Sequence, residues 1–180
     1  MFSKLGLGLM MMGVLSAGNT SLVEIDQQDN HVQALELIEK AEQLSQTSDT
    51  NTFVIDGYEV SLGEESYATE DMTKSIISPL NTLVLTGNVS VSRPLIGGVM
   101  TATATSTTNF TAYLVGVRAN VNNNGTSMSY GTWNRLGQTT FASSSKSGTS
   151  RTGIGHGNHE ARRTQGSELL SFNTTNRNYQ

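Results

Sequence analysis

Short runs of alternating polar and aliphatic residues fill the chain from about residue 83 to residue 161. A period of two places successive side chains on opposite faces of a strand, so each run predicts a half-buried β-strand. Gly and Asn turns separate the runs, and the strongest is Asn-Asn-Asn-Gly at 122–125, because Asn-Gly accepts positive φ readily. This spacing is typical of an antiparallel sandwich. The predicted strands are residues 83–91, 99–106, 111–121, 127–145 (long enough for two short strands), 154–161 and a last one at 169–172.

A different pattern precedes these strands. From residue 29 onward apolar side chains recur at helical spacing, which predicts one amphipathic helix that ends in the polar loop 46–51. This stripe either packs on its own chain or docks on a partner helix. Residues 53–60 then predict a short hairpin that turns at Asp56-Gly57. The predicted stripe contains Val32, Leu35, Ile38, Ala41 and Leu44.

The first 18 residues have the layout of a secretory signal peptide. Lys4 precedes an apolar run at 5–15, and small residues follow at 16–18. The run is short for a membrane span, although a membrane anchor and a buried N-terminal helix are the alternatives. We therefore expect an exported protein that is secreted or associated with the cell surface.

The composition favours the same class of protein. Charged residues make up 14% of the chain, and Ser, Thr, Asn and 18 Gly take their place, as in exported β-rich proteins and surface fibres. Cysteine is absent, which excludes disulfides, thiolate metal sites and a Cys nucleophile. Small secreted animal domains usually depend on disulfides, so a cysteine-free exported chain favours a Gram-positive bacterial source.

The net charge of −4 divides unevenly along the chain. Residues 19–80 hold thirteen acids against two lysines, a charge of −11, whereas residues 81–180 hold eight bases against two acids, a charge of +6. The only two prolines, Pro79 and Pro94, mark the change. We expect the two segments to attract each other, with the acidic one either a cleavable pro-region or a permanent cover.

The predicted organisation is mainly β. A signal peptide (1–18) and an acidic helix-plus-hairpin segment (19–80) precede a basic, Greek-key-like antiparallel β-sandwich (81–172). The polar residues 173–180 are expected to form a flexible tail. Thr-rich edge strands of such a sandwich also allow self-association by strand addition.

His156-Gly-Asn-His159-Glu160 is the sequence's candidate for a metal site. The helical zinc motif needs two histidines four residues apart, whereas these are three apart between glycines that disfavour a helix. In a strand His156 and His159 point to opposite faces, so we interpret them as hydrogen-bonded structural histidines. The β part has no Gly-x-Ser-x-Gly motif, and Glu160 and Glu168 are its only acids. We therefore expect no enzyme and no cofactor.

Positive charge gathers around the last predicted strands. Anionic cell-envelope polymers or lipid head groups are the partners that such a surface attracts, and a solvated basic face is the alternative. The sequence lacks the interleaved basic and aromatic residues of a nucleic-acid-binding surface. The candidate residues for binding an anionic surface are Arg151, His156, Arg162 and Arg163.

Residues 98–170 combine Tyr130-Gly-Thr-Trp133, a Ser-, Lys- and Thr-rich stretch at 143–151 and His156. In these features they resemble the lactococcin 972-like bacteriocins. It implies a signal-bearing, cysteine-free β protein that acts at the envelope of sensitive bacteria. Two functions follow as hypotheses: a cell-surface structural or binding module, and a secreted antibacterial protein with an acidic pro-region.

Overall fold

The structure, a computed structural model, describes residues 22–70 and 82–178. The predicted signal peptide and the domain boundary near residue 80 lie outside these residues. Within them, one helix precedes nine strands, which confirms a mainly β fold with an N-terminal helix. No helix in the described part is long and apolar enough to span a bilayer. The elements are α1 (Leu22–Ser45), β1 (Thr52–Ile55), β2 (Tyr58–Ser61), β3 (Ser66–Thr69), β4 (Val84–Pro94), β5 (Thr101–Asn123), β6 (Ser127–Tyr130), β7 (Asn134–Ser147), β8 (Gly153–Arg162) and β9 (Leu170–Asn178).

All nine strands form one antiparallel sheet in the order β1-β2-β4-β5-β8-β9, with β3 beside β4, and with β6 and β7 beside β5. The long strand β5 joins two halves of this sheet. Its first part pairs with β4, and its last part, from Leu114, pairs with β8. The register against β7 shifts between Thr107 and Ala112, and such a bulge bends a strand. We call the part around β1–β4 the first half-sheet and the part around β6, β8 and β9 the second half-sheet.

The inner faces of the two half-sheets pack on each other as in a sandwich. Their shared core is built from small aliphatic side chains such as Val89 and Ala102 from the first half-sheet and Val117 from the second. Because these side chains are small, the backbones approach closely. A Cβ added at Gly155 would lie only 2.6 Å from Val91 Cγ1. Gly155 of β8 therefore allows the close packing of the two half-sheets.

The predicted helix is present, but its predicted buried stripe is wrong in part. Val32 and Leu44 are 44% and 47% exposed, whereas the buried side is formed by Ala34, Leu37, Ile38 and Ala41. Positions three apart drift by about 60° per step around a helix, so the predicted stripe winds off the contact face. The buried side packs on the β1–β2 hairpin of the same chain, against Ile55 and Val60.

The acidic segment shares its sheet with the basic one. The predicted hairpin turns at Asp56 and Gly57, which have φ of 50° and 79°, and its second strand pairs with β4. Strand β3 pairs with β4 as well. Ion pairs cross from the acidic to the basic segment, among them Arg93–Glu59 at 2.7 Å and Arg163–Glu70 at 3.3 Å.

The prediction of a flexible tail at 173–180 is wrong for residues 173–178, which form most of β9. Thr174 and Asn176 are buried, and Asn176 Nδ2 donates a hydrogen bond to the Ser61 carbonyl at 3.0 Å. The polar composition suggested an exposed end, but hydrogen-bonded polar side chains are stable in a core. The predicted strands 99–106 and 111–121 are likewise one strand, β5, and the predicted strand 127–145 divides at residues 131–133.

Candidate functional site

The outward face of the second half-sheet carries charged, amide and aromatic side chains. On β5 the aliphatic residues Val115, Val117, Ala119 and Val121 point into the core, as the alternation predicts, so the residues between them point outward. The register then places outward residues of β8 beside those of β5. The facing pairs are Gly116–Glu160, Arg118–Asn158 and Asn120–His156.

Four side chains on this face form an alternating stack of rings and guanidinium groups, which we call the ladder: Tyr130, Arg118, Trp133 and Arg135. Arg118 Cζ lies 5.8 Å from the ring centroid of Tyr130 and 5.1 Å from that of Trp133. Arg135 Cζ lies 4.6 Å from the ring centroid of Trp133. Each such cation–π contact contributes about 0.5–1 kcal/mol at an exposed site.

The segment between β6 and β7 positions Trp133. Gly131 N donates to the Ala119 carbonyl at 3.0 Å, which ties this segment to the edge of β5. A Cβ at Gly131 would lie 2.2 Å from that carbonyl oxygen, so the close approach requires glycine. The Tyr-Gly-Thr-Trp sequence is thus a device that places two rings over the outward face of β5.

Glu160 anchors one end of the ladder. Its carboxylate is buried and accepts hydrogen bonds from Arg135 Nε and, at 3.3 Å, from Arg135 Nη2. The hydrogen bond to Glu160 raises the pKa of Arg135. Gly116 makes room for the carboxylate, because a Cβ there would lie 2.6 Å from Glu160 Oε1. The charge of Arg135 is therefore balanced within the face.

An amide network holds the second arginine. Asn158 Oδ1 accepts from Arg118 Nε at 3.2 Å, from Arg118 Nη2 at 3.1 Å and from Asn120 Nδ2 at 2.7 Å. Asn158 Nδ2 in turn donates to Asn173 Oδ1 at 2.6 Å. Among the described residues no carboxylate pairs with Arg118, so this guanidinium is fixed in position while its charge is not balanced.

The structure does not bring the four predicted basic residues together. Arg151 precedes β8 and donates to the carbonyls of the loop at Leu95 and Gly97, whereas Arg162 ends β8, roughly 30 Å away along the strand. Arg163 pairs with Glu70 and stacks over the ring of Phe110 at 5.3 Å.

Of these four residues, only His156 lies beside the amide network of the outward face. Its Nδ1 lies 3.3 Å from Thr175 Oγ1, and burial lowers the pKa of the imidazole.

The predicted metal candidates also separate. His156 and Glu160 point outward, whereas His159 is buried in the core, which confirms that the two histidines face opposite ways. His159 Nδ1 lies 3.0 Å from Ser106 Oγ, and Nε2 lies 2.7 Å from Thr174 Oγ1. Burial lowers the pKa of His159 to about 4. Residues 22–70 and 82–178 contain no group of three or more His, Cys, Asp or Glu side chains placed to hold a metal ion.

Sequence reasoning did not identify Arg118, Arg135 and Asn158 as site residues. The alternation along residues 111–121 did place Arg118 opposite the valines, which was the available signal. The facing of Arg118 with Asn158, and of Gly116 with Glu160, depends on the register between β5 and β8. That register is set by contacts between residues 32 (Asn122 and Ile154) to 48 (Leu114 and Arg162) positions apart in sequence, which no local pattern encodes.

Comparisons of the chain with protein-family models, with curated proteins and with solved structures find no match. The function is therefore inferred from the chemistry of the outward face. Fixed guanidinium and amide groups bind phosphate and other anions, and exposed rings such as Tyr130, 64% exposed, stack on flat ligand surfaces.

Proposed function

We propose that the chain is an exported, non-enzymatic binding module that acts at a bacterial envelope, and that the outward face with the ladder is its binding surface. The ladder is the observation that carries this proposal. It places the guanidinium group of Arg118 within 5.8 Å of the Tyr130 ring centroid and 5.1 Å of the Trp133 ring centroid, and Tyr130 is 64% exposed. The signal-like residues 1–18 support export, and the absence of cysteine favours a bacterial source for an exported chain.

Anionic envelope polymers are the ligand class that fits this face. The planar guanidinium of Arg118 matches the geometry of a phosphate group, and its charge is not balanced by a carboxylate among the described residues. Asn120 and Asn158 hold Arg118 in position, and the exposed Asn173 at the end of this network adds an amide group for the hydroxyl groups of a polyol or sugar backbone. A polymer of repeating phosphodiesters presents both kinds of group along one chain.

Binding of the purified secreted protein to an immobilised poly(glycerol phosphate) chain tests the proposal. We expect Arg118→Gln to weaken binding about tenfold, since a charge-assisted hydrogen bond contributes roughly 1.5–3 kcal/mol. Lys40→Gln on α1 is the matched control, because it removes the same charge from an exposed pair with Asp56 outside the ladder. Equal binding by the two variants would refute the assignment of the face, provided that both retain the wild-type circular dichroism spectrum.

A secreted antibacterial protein with an acidic pro-region is the second candidate function. The helix and hairpin have a small core of their own, which favours a separable unit. Against removal, β2 and β3 occupy the edge of β4, and their loss would expose that edge to aggregation. The mass of the form found in culture medium distinguishes the two. One species that begins near residues 17–19 supports a permanent segment, whereas a species that begins near residues 79–94 supports the pro-region.

A further inference from the structure

The loop between β4 and β5 exposes three apolar side chains at one end of the sandwich, and we call Leu95, Ile96 and Val99 the apolar tip. Ile96 is 93% exposed, and Leu95 and Val99 are 42% and 37% exposed. Single exposed apolar residues are common, but three within five positions of one loop form a local patch. A Cβ added at the neighbouring Gly97 would meet no atom within 4 Å, so the loop projects into solvent.

Hydrogen bonds from two other parts of the chain hold the loop of the apolar tip. Gly97 and Gly98 have φ of 66° and 70°, so the turn has a conformation that residues with side chains rarely adopt. Leu95 N donates to the Gly57 carbonyl at 2.8 Å. Arg151 donates through Nη1 to the Gly97 carbonyl at 3.1 Å and through Nη2 to the Leu95 carbonyl. Ile96 is thus presented in a fixed conformation, which reduces the entropy cost of binding.

We propose that the apolar tip inserts into the head-group region of a bilayer that contains anionic lipids, with Arg151 as the cation beside it. A projecting apolar turn matches the soft surface of a bilayer, whereas a protein partner would have to supply a matching pocket. Arg151 pairs with no carboxylate among the described residues, so its charge is available to lipid phosphates. The nearby Asp56 is paired with Lys40, so it adds little repulsion. Buried apolar area and attraction to anionic lipid together drive interfacial binding.

This inference is independent of the ladder, because the loop and the outward face of the second half-sheet carry different residues. Insertion of one short turn gives weak and reversible binding. At a cell surface it would orient the module with the end that carries the β4–β5 loop against the membrane. The ladder would then lie along a side of the molecule and stay open to polymers.

Co-sedimentation of the purified secreted protein, the form also used for polymer binding, with phosphatidylglycerol vesicles tests the inference. We expect Ile96→Ser to lower the vesicle partition coefficient about tenfold, because the inserted side chain loses its apolar burial. Tyr67→Ser is the control, since Tyr67 is 75% exposed on β3 and lies outside the loop. Phosphatidylcholine vesicles and salt raised from about 50 to about 300 mM should both weaken binding.

An Ile96→Trp variant gives a second measurement. The wild-type chain has a single tryptophan, Trp133, in the ladder. We expect added vesicles to shift the emission of the variant to shorter wavelength and to leave the wild-type emission unchanged. Equal partitioning of the Ile96→Ser variant and the wild type would overturn the inference. A shift of the wild-type emission on addition of vesicles, with no larger shift for the Ile96→Trp variant, would also overturn the inference. So would the finding, without vesicles, that the wild type forms a dimer and the Ile96→Ser variant does not.

Discussion

Protonation of His159 should destabilise the fold between pH 6.5 and about pH 4. The imidazole is 1% exposed and lies between Ser106 and Thr174 in the core, stacked on Phe172 at a centroid distance of 4.9 Å. Burial lowers its pKa to about 4, and a hydrogen bond with the Thr105 backbone opposes this only in part. In the unfolded chain the pKa returns to about 6.5, so the unfolded chain binds the proton first.

The sign and size of the effect follow from this difference. The stability contributed by neutral His159 is complete above pH 6.5 and is lost as the pH falls through the interval down to the folded pKa. A difference of about 2.5 pKa units corresponds to about 3 kcal/mol. A domain of this size has a free energy of unfolding of about 5–15 kcal/mol, so the loss would be readily measured.

Urea unfolding followed by the fluorescence of Trp133, at pH values from about 7.5 to about 4, measures this dependence. His159→Gln removes the titrating group and retains a side chain that can hydrogen bond to Thr174. We expect this variant to be about 1–3 kcal/mol less stable than the wild type at neutral pH, because it loses the ring contact with Phe172. Its stability should fall much less between pH 6.5 and pH 4. His156→Gln is the control, since the side chain of His156 lies at the outward face and is less buried than that of His159. If His159→Gln loses stability with acid as steeply as the wild type does, the buried imidazole is not the source.

Two further substitutions, each with a control substitution, test the packing. Gly87→Ala should cost at least about 2 kcal/mol in chemical denaturation, since its Cβ would lie 2.4 Å from His159 Nδ1, whereas Gly166→Ala meets no atom within 4 Å and should be near neutral. Leu37→Ala should lower the free energy of unfolding by about 2–4 kcal/mol. It should also reduce the hydrogen-exchange protection of α1 and of the β1–β2 hairpin together. Its control, Val32→Ala on the exposed side of α1, should change the free energy of unfolding by less than about 0.5 kcal/mol. Uniform loss of protection across the whole sheet in the Leu37 variant would show that this small core is not a separate unit.

The sequence predicted a strand correctly where burial of one face produces a visible alternation of apolar and polar residues. Val115, Val117 and Ala119 alternate with outward residues because one face of β5 is buried, and this pattern is visible in the sequence. The sequence pattern did not show that the predicted strands 99–106 and 111–121 are joined, because Thr108, Asn109 and Phe110 interrupt the alternation at the bulge. Bulged strands satisfy their backbones through partner strands, which a single run of sequence does not specify.

The tail and the helix face show the same limit. Thr174 and Asn176 are polar yet buried, because Thr174 meets His159 and Asn176 meets the carbonyl of Ser61. Both partners are distant in sequence. The helix buries Ala34 and Leu37 because the hairpin fixes which side faces the sheet. Local periodicity identifies a helix, whereas the direction of its buried side is decided by tertiary packing.

The outward face of the first half-sheet explains why a low apolar content suffices. Thr101 and Thr103 of β5 pair through their hydroxyl groups with Ser147 and Ser145 of β7, at 2.9 and 2.8 Å. His31 of α1 adds a contact of 2.8 Å to Ser145. The hydroxyl groups of this row thus form hydrogen bonds with one another and with His31 of α1. Because they are hydrogen-bonded, the row is stable beneath α1 without a large apolar surface.

The two outward faces therefore differ in the side chains that they leave available to a ligand. On the first half-sheet, the hydroxyl groups form hydrogen bonds with one another and are partly covered by α1, and Thr103 is buried. On the second, Tyr130 and Arg135 remain exposed, and Val117 and Ala119 beneath the face separate its charged groups from the core. A face needed only for stability would have been served by more paired hydroxyls. The presence of Arg118 and Trp133 there, stacked at 5.1 Å, is the reason to look for the ligand on the second half-sheet.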